Sequence, residues 1–319
     1  MIRGTSRNAG VTASVLAVTI LLVAAPAAHA GFGFVPGSVS ALAENVDGTV
    51  DSQAGSHPYQ YRVTLAFKTG EGGATEGGIP RDVIVDLPPG MIGNPLSAPR
   101  CPRADFEGNG RADCPVDTQI GVLRADVAGA GGIAGPVYNM EAPPGVAGQL
   151  AFSGADLNVL EDASVRSEEG YGLRVVVSDI PVETKSVTEV IWGTPADPRH
   201  DNERGEAVNG GPPSTSSAPV EPYLSLPTSC AAAPEVVIRA DSSLAPGVFA
   251  EEPAASVDAG GNPAPLTGCA NVPFAPRVSS RPTVATAESA SGLNFDLGFP
   301  NQGLLVPSGN LESEPGETV

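Results

Sequence analysis

Short runs of alternating apolar and polar residues recur along this chain, and long helical periodicity is absent. The clearest are residues 61–67 (YRVTLAF), 82–87 (DVIVDL, closed by Pro88-Pro89-Gly90) and 119–127 (QIGVLRADV). Shorter candidates lie at 38–42, 136–140, 149–153, 172–178, 186–192, 223–226, 235–240 and 291–299. A period of two puts successive side chains on opposite faces of a strand, and the Gly, Pro, Asn and Asp between the runs supply turns. The pattern predicts an all-β chain of immunoglobulin-like antiparallel β-sandwich modules. The side chains expected inside are Val63, Leu65, Phe67, Val83, Val85, Leu87, Val122, Val175, Val177 and Ile191.

The first thirty residues break this pattern. Arg3 and Arg7 precede an apolar run from Gly10 to Ala25, and Ala28-His29-Ala30 offers a small-residue cleavage site before Gly31. A basic start, a short apolar core and an A-x-A site form a signal peptide, and the core is shorter than the ~20 residues of a spanning helix. The arginines are not paired, so general export is expected rather than the twin-arginine route. Residues 1–30 are therefore expected to be removed, placing the mature chain outside the cell or in its envelope.

The rest divides by composition. Residues 31–193 read as a first sandwich module. Residues 194–222 (TPADPRHDNERGEAVNGGPPSTSSAPVEP) are rich in Pro, Gly, Ser and charge and read as a linker or loop. Residues 223–290 read as a second, disulfide-containing β segment. Residues 291–319 read as the possible start of a truncated further module, because 295–299 repeats the apolar-x-apolar-x-Phe spacing of 63–67.

Loss of the two leader arginines leaves 15 basic residues against 36 acidic, a net charge of 15 − 36 = −21. That surface repels nucleic acid and anionic lipid, so neither is an expected partner, and it suits simple solvation. The cysteines, Cys101, Cys114, Cys230 and Cys269, are even in number in an exported chain and read as disulfides. Of three pairings, Cys101–Cys114 with Cys230–Cys269 keeps each closed loop short. No C-x₂₋₄-C spacing favours zinc.

The string VDLPPGMIGNPLSAPRC, followed by a Phe and then CPVDTQIGV, resembles a repeated element of large uncharacterised exported proteins of high-GC, actinobacterial-type Gram-positive bacteria. PVYNMEAPPGVAGQLAF, WGTPADPRHDNERG, LPTSC and GCANVPFAP extend the resemblance over nearly the whole mature chain. It implies an exported, multi-module protein of the cell envelope and carries no established activity.

Four groups of residues invite chemistry. Asp105, Glu107, Asn109 and Asp113 match oxygen-ligand positions of a calcium loop with Gly110 at its turn, but Val116 stands where a bidentate Glu is needed. Ca²⁺ is the one cofactor this suggests; an acidic turn clamped by a disulfide is the plainer reading. His200-Asp201, with Asp197, Glu203 and Arg204, reads as a charged loop rather than a base or metal site. The paired acids Glu161-Asp162, Glu168-Glu169 and Glu251-Glu252 read as polar turns, and Trp192 as core or rim. No nucleophile motif of the G-x-S-x-G, S-x-x-K or H-E-x-x-H kind occurs.

The expectation is an exported, non-catalytic structural or interaction protein, adhesion-like, displaying loops to a protein or cell-wall polymer, with no membrane span in the mature chain. A secreted hydrolase of an extracellular polymer and a calcium-dependent adhesion module are the alternatives.

Overall fold

The structure, a computed structural model, describes residues 1, 31–108, 112–167, 170–272 and 275–298. Residues 2–30 of the expected export signal and those after 298 lie outside the described residues.

The strands are β1 (Ser40–Glu44), β2 (Gln60–Ala66), β3 (Pro80–Asp86), β4 (Ile92–Gly93), β5 (Gln119–Val127), β6 (Gly131–Asn139), β7 (Gly148–Gly154) and β8 (Leu157–Val165). β9 (Leu173–Val177), β10 (Thr184–Trp192), β11 (Leu224–Ser225), β12 (Glu235–Ser242), β13 (Ala245–Ala255), β14 (Arg277–Pro282) and β15 (Leu293–Gly298) follow. One short helix, α1, spans Arg103–Phe106.

The all-β expectation holds, but the layers differ from a sandwich. Eleven strands form one antiparallel sheet in the order β1-β2-β10-β5-β6-β7-β8-β9-β3-β12-β13. Its edges, β1 and β13, come together without pairing, so the sheet nearly closes into a barrel-like form. An alternating strand needs only one covered face, and a curled sheet supplies that cover from its own opposite wall as well as a second sheet would. β5 to β9 form a meander of successive hairpins. Pairing of β10 with both β5 and β2, and of β3 with both β9 and β12, ties the meander to the rest. β12 and β13, from the segment expected to stand apart, thus belong to the same sheet.

Inward-facing residues come from every part of this sheet. Val63 and Leu65 of β2, Val83 and Val85 of β3, Leu123 of β5, Leu150 and Phe152 of β7, Val175 and Val177 of β9 and Val187 and Ile191 of β10 share one interior. Phe67 follows β2 into it, and Phe32 and Phe34 stack on Phe67 with ring centroids 5.5 and 5.4 Å away. The Gly-rich loop between β2 and β3 passes against this N-terminal segment. Gly77, at φ +70°, lies so close to the Phe32 backbone that a Cβ would meet its nitrogen at 2.3 Å, so only glycine fits.

Two irregular segments cover the outside. The disulfide Cys101–Cys114 holds the α1 loop, whose Phe106 packs with Tyr138, Met140 and Ala151 on the outer face of β6 and β7. Residues 194–222, expected as a linker or loop, carry two 3₁₀ turns, Pro198–Glu203 and Gly205–Asn209, packed on the sheet. Val122 of β5, expected inside, instead joins Val190, Trp192 and Val208 under this cover. The shift has a local cause: a bulge in the β5–β6 ladder between Gln119 and Gly121 changes which residues face in. Fully buried Gln119 donates to the carbonyls of Gly121 and Glu203 and accepts from the Gly205 amide, fastening the segment to β5. The second disulfide is Cys230–Cys269, beside the β12–β13 pair.

β14 and β15, the latter expected to open a further module, form a separate two-stranded sheet with Val278, Leu293, Phe295 and Leu297 exposed.

Asp86 marks the junction of the distant strands. Its buried carboxylate accepts two hydrogen bonds from Arg174 of β9, at 2.6 and 2.9 Å, and another from Arg239 of β12, with Arg166 at 3.8 Å. Burial pushes this carboxyl up, but the hydrogen bonds and charges of Arg174 and Arg239 outweigh it and hold it below the usual range. Removing one partner of a buried charge cluster leaves the others uncompensated. Asp86→Asn is therefore expected to lower unfolding free energy by about 3 kcal/mol or more, measured by chemical denaturation at neutral pH; an unchanged midpoint would show that the cluster does not hold this seam.

Candidate functional site

The interior is not filled. Its inward side chains line a cavity of about 210 Å³. Val63, Val85, Val159, Val175, Val187 and Ile191 face inward yet are only half-buried, their open surface lying on this void. The lining is hydrocarbon and aromatic with few exceptions, the chief of which are two carboxyl groups, Glu161 and Glu189.

The strands bring these two together from separate places in the sequence. Glu161 lies in β8, paired across to Leu150 of β7 and Val177 of β9. Glu189 lies in β10, paired to Val63 of β2 and Leu123 of β5. β8 and β10 stand four places apart in the sheet, so the curl of the wall makes the carboxyls meet across the interior. They lie within reach of each other and titrate as a coupled pair, a contact that requires one of them to hold a proton. Burial raises both above the ordinary glutamate value, and the neighbouring Glu189 charge raises Glu161 further. Oε1 of Glu189 is buried without a hydrogen-bond partner. Tyr61 and Tyr223 also line the space; burial and then the charges of Glu161 and Glu189 push the Tyr223 phenol up. Among the described residues no Arg, Lys or His lines the cavity.

The sequence reading assigned Glu161-Asp162 to a polar turn. The structure corrects this: both residues sit mid-strand, Asp162 outward and exposed, accepting from Gln149 at 2.7 Å, and Glu161 inward. Glu251-Glu252 likewise lies in a strand, β13, where Glu251 accepts from Arg239. Glu168 and Glu169 lie outside the described residues. The signal that could have found Glu161 is register: in LNVLEDASV it keeps step with Leu157, Val159 and Ala163, all of which line the cavity.

His200 is in a second, different environment. Its ring stacks between Tyr59, at 4.3 Å, and Trp192, at 4.5 Å. The guanidinium of Arg199 lies over Tyr59 at 5.3 Å and that of Arg204 over Trp192 at 4.9 Å. Burial drives the imidazole down to about 3, so it is neutral at ordinary pH. Asp197, which caps the 3₁₀ turn, bonds Arg199, and buried Arg204 reaches Asp201 and the Pro195 carbonyl. The group is a packing device that seats the outer cover, and Trp192 is its fully buried centre.

Three of the suggested calcium residues, Asp105, Glu107 and Asp113, are among those described. Asp105 is in α1, the Glu107 carboxylate pairs with Arg103 at 2.7 Å, and the Asp113 amide donates to the Asp105 carbonyl at 2.9 Å. Asn109 lies outside the described residues, and among those described no group of three His, Cys, Asp or Glu is placed to hold a metal.

No protein-family model, curated protein or solved structure matches this chain.

Both buried groups have consequences for stability that differ in sign and window. The folded His200 value lies below that of the unfolded chain, about 6.5, so the unfolded state takes a proton that the native state excludes. Stability is full above pH 6.5 and is lost as pH falls toward 3, on the order of 2 kcal/mol by pH 5. His200→Phe, which keeps a ring in the stack, should flatten the denaturation midpoint between pH 6.5 and 5; an unaltered slope would contradict the buried neutral imidazole.

The glutamate pair acts oppositely. Its folded values lie above the unfolded one, about 4.3, so the native state retains protons that the unfolded state releases. Stability is present at low pH and is lost as pH rises through the folded values. Between pH 6.5 and 8.5, where His200 contributes no slope, the melting temperature should fall for the wild type. It should stay level for the double variant Glu161→Gln/Glu189→Gln, and equal slopes for the two proteins would refute the assignment.

Proposed function

We propose that this chain is an exported, non-catalytic binding protein that holds an apolar small molecule inside its barrel. The observation that carries the reading is the unfilled, hydrocarbon-lined interior of about 210 Å³. Lost packing costs about 24 cal/mol per Å³ of void, so this cavity, left empty, forgoes about 5 kcal/mol. That is comparable with the entire net stability of many domains, about 5–15 kcal/mol. A chain that retains such a void and buries two carboxyls in it trades stability for something, and a ligand recovers the missing contacts. Engineered apolar voids of about 150 Å³ stay dry and take up benzene, so this one has room for a single ring or a medium-length alkyl chain.

Other features fit this reading. The two disulfides suit an oxidising, extracellular setting. The excess of 36 acidic over 17 basic residues keeps the outer surface solvated, while the binding face is turned inward. The display of loops to a protein or wall polymer, expected from the sequence, becomes secondary, because the two longest irregular segments are packed down as covers. A polymer hydrolase is not favoured: its two carboxyls would stand about 5 Å or more apart in an open, polar cleft, whereas Glu161 and Glu189 meet among apolar side chains.

Isothermal calorimetry with toluene and 1-octanol tests the reading. We expect saturable binding at one site, removed by Val159→Trp, which fills the interior. The absence of saturable binding for both probes would overturn it.

A further inference from the structure

The cavity has a chemical polarity as well as a shape. A coupled pair of carboxyls that retains one proton carries a negative charge. Among the described residues nothing on the lining balances it: the titratable side chains there are Glu161, Glu189, Tyr61 and Tyr223, with no Arg, Lys, His or Asp. Several guanidinium groups among the described residues are engaged elsewhere, on Asp86, on the outer stack and on surface carboxylates. Apart from the Glu161 carboxyl, Oε1 of Glu189 is buried and receives no hydrogen bond from any N–H or hydroxyl of the described residues. Buried polar atoms in native proteins are nearly always satisfied, so an orphan beside a void marks the place where a missing donor belongs.

We propose that the Glu161–Glu189 pair makes the barrel a site for apolar amines, with the ligand's ammonium group donating to the pair and its hydrocarbon body occupying the void. This rests on the reading of the interior as a ligand site and names the ligand's class. An apolar acid is excluded by like charge, since a carboxylate would be brought against a carboxyl pair with no cation between them. A neutral alcohol offers one ordinary hydrogen bond. An ammonium offers charge-assisted bonds, roughly twice as strong as neutral ones, and opposite charges attract far more strongly in a low-dielectric interior than in water. The Tyr61 and Tyr223 rings on the lining add faces of the kind that favour cations. An amine that enters as the ammonium requires the pair to hold a single proton, so where the empty pair holds two, binding expels one to solvent. Affinity for amines must therefore rise with pH over the range in which the pair titrates, and affinity for alcohols must not.

The test is a comparison of octylamine, 1-octanol and octanoate by calorimetry at pH 8 and pH 5, on the wild type and on Glu161→Gln/Glu189→Gln. The expected order at pH 8 is octylamine at least about tenfold tighter than 1-octanol, with no detectable octanoate binding. The octylamine advantage should shrink at pH 5. The octylamine heat should depend on the buffer's ionisation enthalpy, reporting proton release, and on the double variant the octylamine-to-octanol ratio should collapse toward one. The wild-type series and its pH dependence stand without the variant, should that chain fold poorly. Binding of 1-octanol equal to or tighter than octylamine, or octanoate binding comparable to octylamine, overturns the amine assignment and leaves the ligand site standing. Failure of all three probes and of toluene to bind removes both.

Discussion

A sheet of eleven antiparallel strands that almost closes on itself has one governing constraint: the inward-facing residues of strands far apart in the sequence must share a single interior. Twist alone does not decide which strands meet. The order places β2 and β3, neighbours in the chain, on opposite flanks of the β5–β9 meander, and the seams at β2–β10 and β3–β12 then fix the register of everything else. A slip of one residue at either seam would send an entire apolar row to solvent. Asp86, with Arg174 and Arg239 on the strands to either side, fixes one of these seams by geometry that a slipped register cannot satisfy.

The interior that results is under-filled, and the outer face makes up part of the deficit. Val122, Val190 and Trp192 form a second apolar layer on the outside, sealed by the 3₁₀ segment and its ring stack, and the disulfide-held α1 loop does the same over Tyr138 and Met140. A curved wall buried on both faces at these places can afford a void at its centre. The carboxyl pair follows from the same constraint: Glu161 and Glu189 lie on strands that are not adjacent, and only closure makes them neighbours.

Much of this was legible in the sequence, and the misses have physical causes. The strongest alternation, at 61–67, 82–87 and 119–127, corresponds to β2, β3 and β5 within a residue or two, because a half-buried strand must alternate. Sandwich and barrel were not separable, since both cover one face of each strand. β8 and β13 were passed over because acidic residues and, in β13, two prolines depress strand propensity; an edge strand tolerates proline, and an inward register tolerates a carboxyl that finds a partner. The Pro, Gly and charge of 194–222 read as a linker or loop but gave no sign that His200 and Arg204 would be buried, where aromatic stacking and cation–π contact give polar side chains a place to pack. The pairing Cys101–Cys114 with Cys230–Cys269 was favoured by short loop closure and by keeping each bridge within one expected module. The site itself was illegible: a contact between positions 161 and 189 depends on sheet order, which no local pattern encodes.

The ligand site depends on Glu161 and Glu189 facing each other across an apolar interior and sharing a proton. Carboxyl ¹³C NMR titration of the two side chains from pH 4 to 9 measures this directly. Both should titrate above the ordinary glutamate value of about 4.3, and they should do so as a coupled pair, so that Glu161→Gln changes the Glu189 curve. Two independent titrations near the ordinary value, with Glu189 indifferent to Glu161→Gln, would contradict it.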